Sequence, residues 1–150
     1  AGTYVTHGDV QSTVKQMVST HVTDQQVRVV DTGKQNVGLG VVHRSAGAAQ
    51  NAVAHDQVTE VYHILAGSGT MVTGGTLVNP QRRPANDAAL RDLTGPSTTG
   101  TSLRSGESRH VGAGDTVIIP AGVAHWFSAV DGSIDYLVVR IDPDKIIRLK

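Results

Sequence analysis

Short valine-rich segments closed by glycine constrain this chain more than any other feature. "QQVRVVDTG", "NVGLGVVHR", "TEVYHILAGSGTMVTGG", "DTVIIPAG" and "IDYLVVRID" follow one another along most of its length. β-Branched side chains suit a pleated surface, and many short runs with turn signals between them indicate an all-β sandwich or barrel. Ahead of them, Val10, Val14, Met17 and Val18 recur at helical spacing behind Asp9. This predicts a short amphipathic N-terminal helix over about 9–21, with Asp9 capping its first turn. At 150 residues the chain fits a single domain, 1–150, with room for a real core. One stretch breaks the pattern. Residues 79–105, "NPQRRPANDAALRDLTGPSTTGTSLRS", are rich in Pro, Gly, Ser, Thr and charge and read as a long surface insertion with at most one helical turn. Such a loop is either a cover for the barrel mouth or a tolerated excursion.

Charge and composition narrow the function classes. Acidic and basic residues balance at 13 each, and no dense Lys/Arg block suits a phosphate backbone, so nucleic acid is not an expected partner. No apolar run is long enough to cross a bilayer and no secretion-signal layout opens the chain, so a soluble protein without a membrane partner is expected. A start at Ala1 implies trimming, which leaves cytoplasmic and processed secreted or periplasmic locations open. Cysteine is absent, which removes disulfides, thiolate ligands and a cysteine nucleophile together, and leaves His, Asp and Glu as metal ligands. There is no phosphate loop ending in Lys-Ser/Thr, no G-x-S-x-G elbow and no His-Glu-x-x-His helix. Gly67-x-Gly69 and Gly74-Gly75 read as turn glycines of a β-hairpin.

The chemistry-bearing residues lie in two segments. In "AHDQVTEVYHILAGSG", strand alternation puts Glu60, Tyr62 and Ile64 on one face and Val61, His63 and Leu65 on the other. In "GAGDTVIIPAGVAHWFSA", a strand and a Pro-x-Gly turn lead to His125, which shares a face with Phe127 and Ala129. Gly47, His55, Glu60 and Gly67 in the first, with Gly114, Pro120, Gly122 and His125 in the second, resemble the two motifs of the cupin family over roughly residues 37–141. The resemblance implies a double-stranded β-helix, a cupin or jelly-roll barrel, whose two motifs jointly hold a metal. Two positions depart from the family pattern: Val53 stands where its first histidine does, and Ala129 where its asparagine does.

What the resemblance then implies is a three-ligand site of His55, Glu60 and His125 for one divalent ion, Fe, Mn, Ni or Zn, with open coordination positions. His43 is a candidate fourth ligand, since Val37, Leu39, Val41 and His43 alternate onto one face of the preceding strand. His63 faces away from Glu60 unless a bulge re-aims it. Tyr62 is either plain lining or a substrate hydrogen bond and proton donor; Arg140 either holds an anionic substrate group or sits outside the barrel. Phe127 is expected in the pocket wall, and Trp126 in sheet packing or a subunit contact. The expected function is a metal-dependent cupin enzyme, a mononuclear non-haem oxygenase acting on a small organic substrate. Alternatives are a binding or sensing protein without turnover and a metal-dependent isomerase or lyase. A homodimer is expected from the Val-rich edge strands.

Overall fold

The computed structural model describes residues 1–47 and 50–150. In chain order the elements are α1 (His7–Thr20), β1 (Asp24–Asp31), β2 (Asn36–Ser45), β3 (Ala52–His55), β4 (Thr59–Thr73), β5 (Thr76–Val78), β6 (Gln81–Arg82), α2 (Ala89–Asp92), β7 (Ser97–Gly100), β8 (Ser102–Arg104), β9 (Glu107–Gly112), β10 (Thr116–Ile119) and β11 (His125–Asp142). Every strand pair among the described residues is antiparallel, as a jelly-roll barrel requires. The axis of the barrel is the pairing of two long strands, β4 with β11, from Thr73 opposite His125 to Thr59 opposite Ile141. On its other side β11 pairs with β2, which continues to β1.

Strands this long must bend to close a barrel, and the bend is made at glycine. Gly67 lies inside β4 at φ +76°, where a Cβ would stand 1.9 Å from the Ser133 carbonyl oxygen. Only glycine can hold that backbone so close to its neighbour. Gly67-x-Gly69 is therefore a bend within one strand and not the hairpin turn its sequence suggests; Gly74 and Gly75, both at positive φ, do link β4 to β5. A second irregularity, between Phe127 and Ala129, turns Ala129 out to solvent although simple alternation would set it on the face of His125.

Inward-facing Val42, Tyr62, Ile64, Met71, Phe127, Tyr136 and Val138 fill the barrel. The helix packs outside: Val10 and Met17 of α1 bury against Val41, with Leu65 and Leu137 alongside. It starts two residues before the expected position. Thr6, not Asp9, is the N-cap; its hydroxyl accepts from the Asp9 N–H at 3.1 Å while the Asp9 carboxylate accepts from the Thr6 N–H at 2.9 Å.

Residues 79–105 are more ordered than their composition suggests. They contribute β6, α2, β7 and β8, and β7 pairs with both β3 and β6. The Ser/Thr-rich "STTG" carries no apolar alternation, so its strand character comes from the partner strands and not from its own side chains.

Candidate metal centre

His55 ends β3, Glu60 stands near the start of β4, and His125 opens β11. Sheet register brings them together: His125 pairs with Val53, two residues before His55, and Glu60 lies opposite Arg140. All three side chains are buried, at 4%, 1% and 4% exposure. His55 Nε2 lies 3.0 Å and His125 Nε2 3.2 Å from the same atom, Glu60 Oε1. The three ligand atoms fall within 4.8 Å of one another, a separation a single ion can bridge.

The far side of each imidazole fixes its tautomer. Ser97 Oγ donates to the Gly95 carbonyl at 2.9 Å, so toward His55 Nδ1, 2.8 Å away, it acts as acceptor. His125 Nδ1 faces the Val123 carbonyl at 3.1 Å, which can only accept. Both Nδ1 atoms therefore carry hydrogen, and both Nε2 lone pairs point at a carboxylate oxygen. His125 Nε2 is buried without a hydrogen-bond partner. Two imidazoles and one carboxylate converging on one point could hold a divalent metal.

Burial would raise the pKa of Glu60, but the interactions with His55 and with the Arg140 guanidinium outweigh it and hold the carboxyl well below its usual range. Arg140 Nε donates to Glu60 Oε2 at 2.8 Å, and its two terminal nitrogens grip Asp24 at the start of β1. Burial disfavours this guanidinium, yet Asp24 and Glu60 more than offset the effect and keep it charged. For His55, burial lowers the pKa against the pull of Glu60. Tyr62 donates its hydroxyl to Glu60 Oε1 at 3.1 Å; burial first and the Glu60 anion second push its pKa well above the ordinary value, and the phenol stays protonated.

His43 is not among these residues. Its face of β2 is turned toward α1, where His43 Nδ1 meets Asp135 Oδ1 at 2.5 Å; the inward face of that end of β2 carries Val42 and Arg44. The alternation starting at Val37 had the opposite phase, because Gly38 and Gly40, without side chains, occupy inward positions next to Gln26. His63 is exposed and bonds Thr116, as expected for the outer face. Arg140 lies inside, as the buried clamp described above. Phe127 packs in the core against Tyr136, and the Trp126 indole donates to the Gln50 carbonyl at 2.9 Å. Val53 faces the same cavity as His55.

That cavity, about 570 Å³, opens beside the centre and is walled by β2, β3 and the 79–105 segment. Sequence alone did not indicate Ser97, Asp24, Arg44 or Arg83. No motif marks any of them, and the roles of Ser97, Asp24 and Arg44 come from partners far along the chain.

No family model matches the chain, and no curated protein matches it in sequence. Among solved structures it is similar to BH2720 from Bacillus halodurans, at 12% identity and TM-score 0.52, over 95% of this chain and 83% of that one. A cupin protein from Bacteroides fragilis is 19% identical at TM-score 0.45, over 76% and 72%. DMSP lyase DddQ from Ruegeria pomeroyi DSS-3 is 18% identical at TM-score 0.49, over 81% of this chain and 48% of that one. With its paired long strands closed into an antiparallel jelly roll, and a buried His-Glu-His group where the two sequence segments meet, this chain has the barrel fold that its resemblance to the cupins implied.

Proposed function

We propose that the chain is a metal-dependent enzyme of the mononuclear non-haem oxygenase kind, with His55, Glu60 and His125 holding one divalent ion and a small organic substrate bound in the adjoining cavity. The observation that carries this reading is the buried convergence of His55 Nε2 and His125 Nε2 on Glu60 Oε1, at 3.0 and 3.2 Å. Two imidazoles and one carboxylate suit Fe, Mn, Ni or Zn and leave coordination positions for substrate or dioxygen. Bound there, the ion would supply redox or Lewis-acid activation of the substrate. The protein's own part is separable. Arg140 keeps the Glu60 carboxylate ionised and oriented, Ser97 and the Val123 carbonyl aim the imidazoles, and the Phe127, Tyr136 and Val138 core keeps water from the inner side. Tyr62, protonated and against Glu60, has a proton to give to a substrate oxygen at the cavity wall.

Elemental analysis of protein purified without chelator, beside His125→Ala, tests the centre. About one equivalent of a single metal, absent from the variant, is expected; a protein that neither carries nor takes up metal overturns the reading. Oxygen uptake by the iron-loaded protein with candidate substrates then separates an oxygenase from an isomerase, a lyase or a binding protein, each of which would hold metal or ligand without consuming oxygen. A homodimer belongs to the same proposal: edge strand β10 carries Ile118 at 69% exposure. A monomer mass by light scattering at micromolar concentration would rule it out.

A further inference from the structure

Two arginines of the cavity point to a class of ligand. Its lining carries four guanidinium groups, Arg44, Arg82, Arg83 and Arg140, against the carboxylates Asp24, Glu60 and Asp87. Two of the four are committed. Arg140 is held by Glu60 and Asp24, and Arg82 by Asp56. The other two make only neutral contacts among the described residues. Arg44 donates through Nε to the Tyr136 hydroxyl at 3.0 Å and through Nη1 to Gln50 Oε1 at 2.6 Å, and lies over the Phe127 ring at 5.9 Å. Arg83 donates through Nη1 to Thr94 Oγ1 at 3.2 Å. Both are only part-exposed, so water screens their charge incompletely.

Neither Arg44 nor Arg83 makes an ion pair among the described residues, so an anion in the cavity would give each a direct partner in a partly dehydrated setting, and a divalent ion on His55, Glu60 and His125 would add to the positive field. We propose that the cavity binds a small organic anion whose carboxylate or phosphate group pairs with Arg44, with Arg83 of the same lining supplying a second positive charge. This deepens the reading of the preceding section by assigning its substrate class. Arg44 is suited to the role because its side chain is already fixed by Tyr136, Phe127 and Gln50, so little freedom is lost when it meets an oxyanion.

The test is calorimetric titration of the protein, metal-free and zinc-loaded, with succinate, its neutral analogue succinamide, and inorganic phosphate. Binding of succinate or phosphate but not succinamide, weakened at least tenfold in Arg44→Met and also in the milder Arg83→Gln, is the expected result; which of the two anions binds distinguishes carboxylate from phosphate. Circular dichroism confirms that each variant is folded, and Arg44→Lys, which keeps the charge, should recover part of the loss. Binding of neither anion, equal binding of succinamide, or affinities unchanged in folded Arg44 and Arg83 variants would overturn the proposal. Failure to load zinc would end the metal reading alone, since the titration of the metal-free protein still decides whether the Arg44 site exists.

Discussion

At the scale of single residues, the centre depends on groups that never touch the ion. Ser97 is fully buried and its hydroxyl accepts from His55 only because the Gly95 carbonyl takes its own proton. Ser97→Ala removes that acceptor, frees the ring to adopt the other tautomer and leaves Nδ1 unpaired. Affinity for zinc, measured by competition with a chromogenic chelator, should fall about 10–100-fold, the usual cost of losing such a support. Unchanged affinity would mean that packing alone sets the ring. Here the limits of the sequence are plain. His55, Glu60 and His125 were legible because motif spacing in two segments is itself a record of strand geometry. Ser97 was not, being one hydroxyl in a Ser/Thr-rich run, and His43 was misplaced because two glycines hid the phase of β2.

At the scale of elements, two local devices make testable demands. The capping box at the start of α1 satisfies backbone donors that the helix leaves open, and Thr6→Ala should cost about 1 kcal/mol in urea unfolding. Its pH dependence follows from Asp9, whose pKa is lowered from 3.8, chiefly by the hydrogen bond it accepts from the Thr6 backbone and then by the Thr6 side chain. A carboxyl lowered on folding stabilises above its unfolded value and loses that contribution as pH falls through the folded one. The difference between wild type and Thr6→Ala should therefore be full above about pH 4 and shrink below it; a gap independent of pH would dissociate Asp9 from the cap. The second device is the Gly67 bend. Gly67→Ala brings a methyl group 1.9 Å from a backbone oxygen at positive φ, and neither β4 nor β11 can yield without losing register. A loss of about 1–3 kcal/mol or more is expected, against the few tenths typical of an exposed strand glycine. The spacing of Gly67 was visible in the sequence, but its role as a strand bend was not, since a turn and a bend share the same glycine signal.

At the scale of the molecule, the site is where distant parts of the chain are joined. Arg140 links β11 to β4 through Glu60 and to β1 through Asp24, so the residue that holds the Glu60 carboxylate in place also ties three strands together. The C-terminal residues close the same assembly: Asn36 donates to the Ile147 carbonyl, Asp142 accepts from the Ile147 N–H, and Lys150 exchanges backbone hydrogen bonds with Val29. An ion held by Glu60 and the two imidazoles would stabilise the barrel tied together around them, because it would bind the folded arrangement and not the unfolded chain. Metal should thus act as a folding ligand as well as a chemical one. With free zinc a hundredfold above its dissociation constant, the unfolding free energy should rise by about 2.7 kcal/mol, and the thermal midpoint with it. His125→Ala should abolish the rise, while a substitution at the exposed His63 should leave it intact. Equal stabilisation of wild type and His125→Ala would place the ion elsewhere on the surface and detach the barrel's stability from this centre.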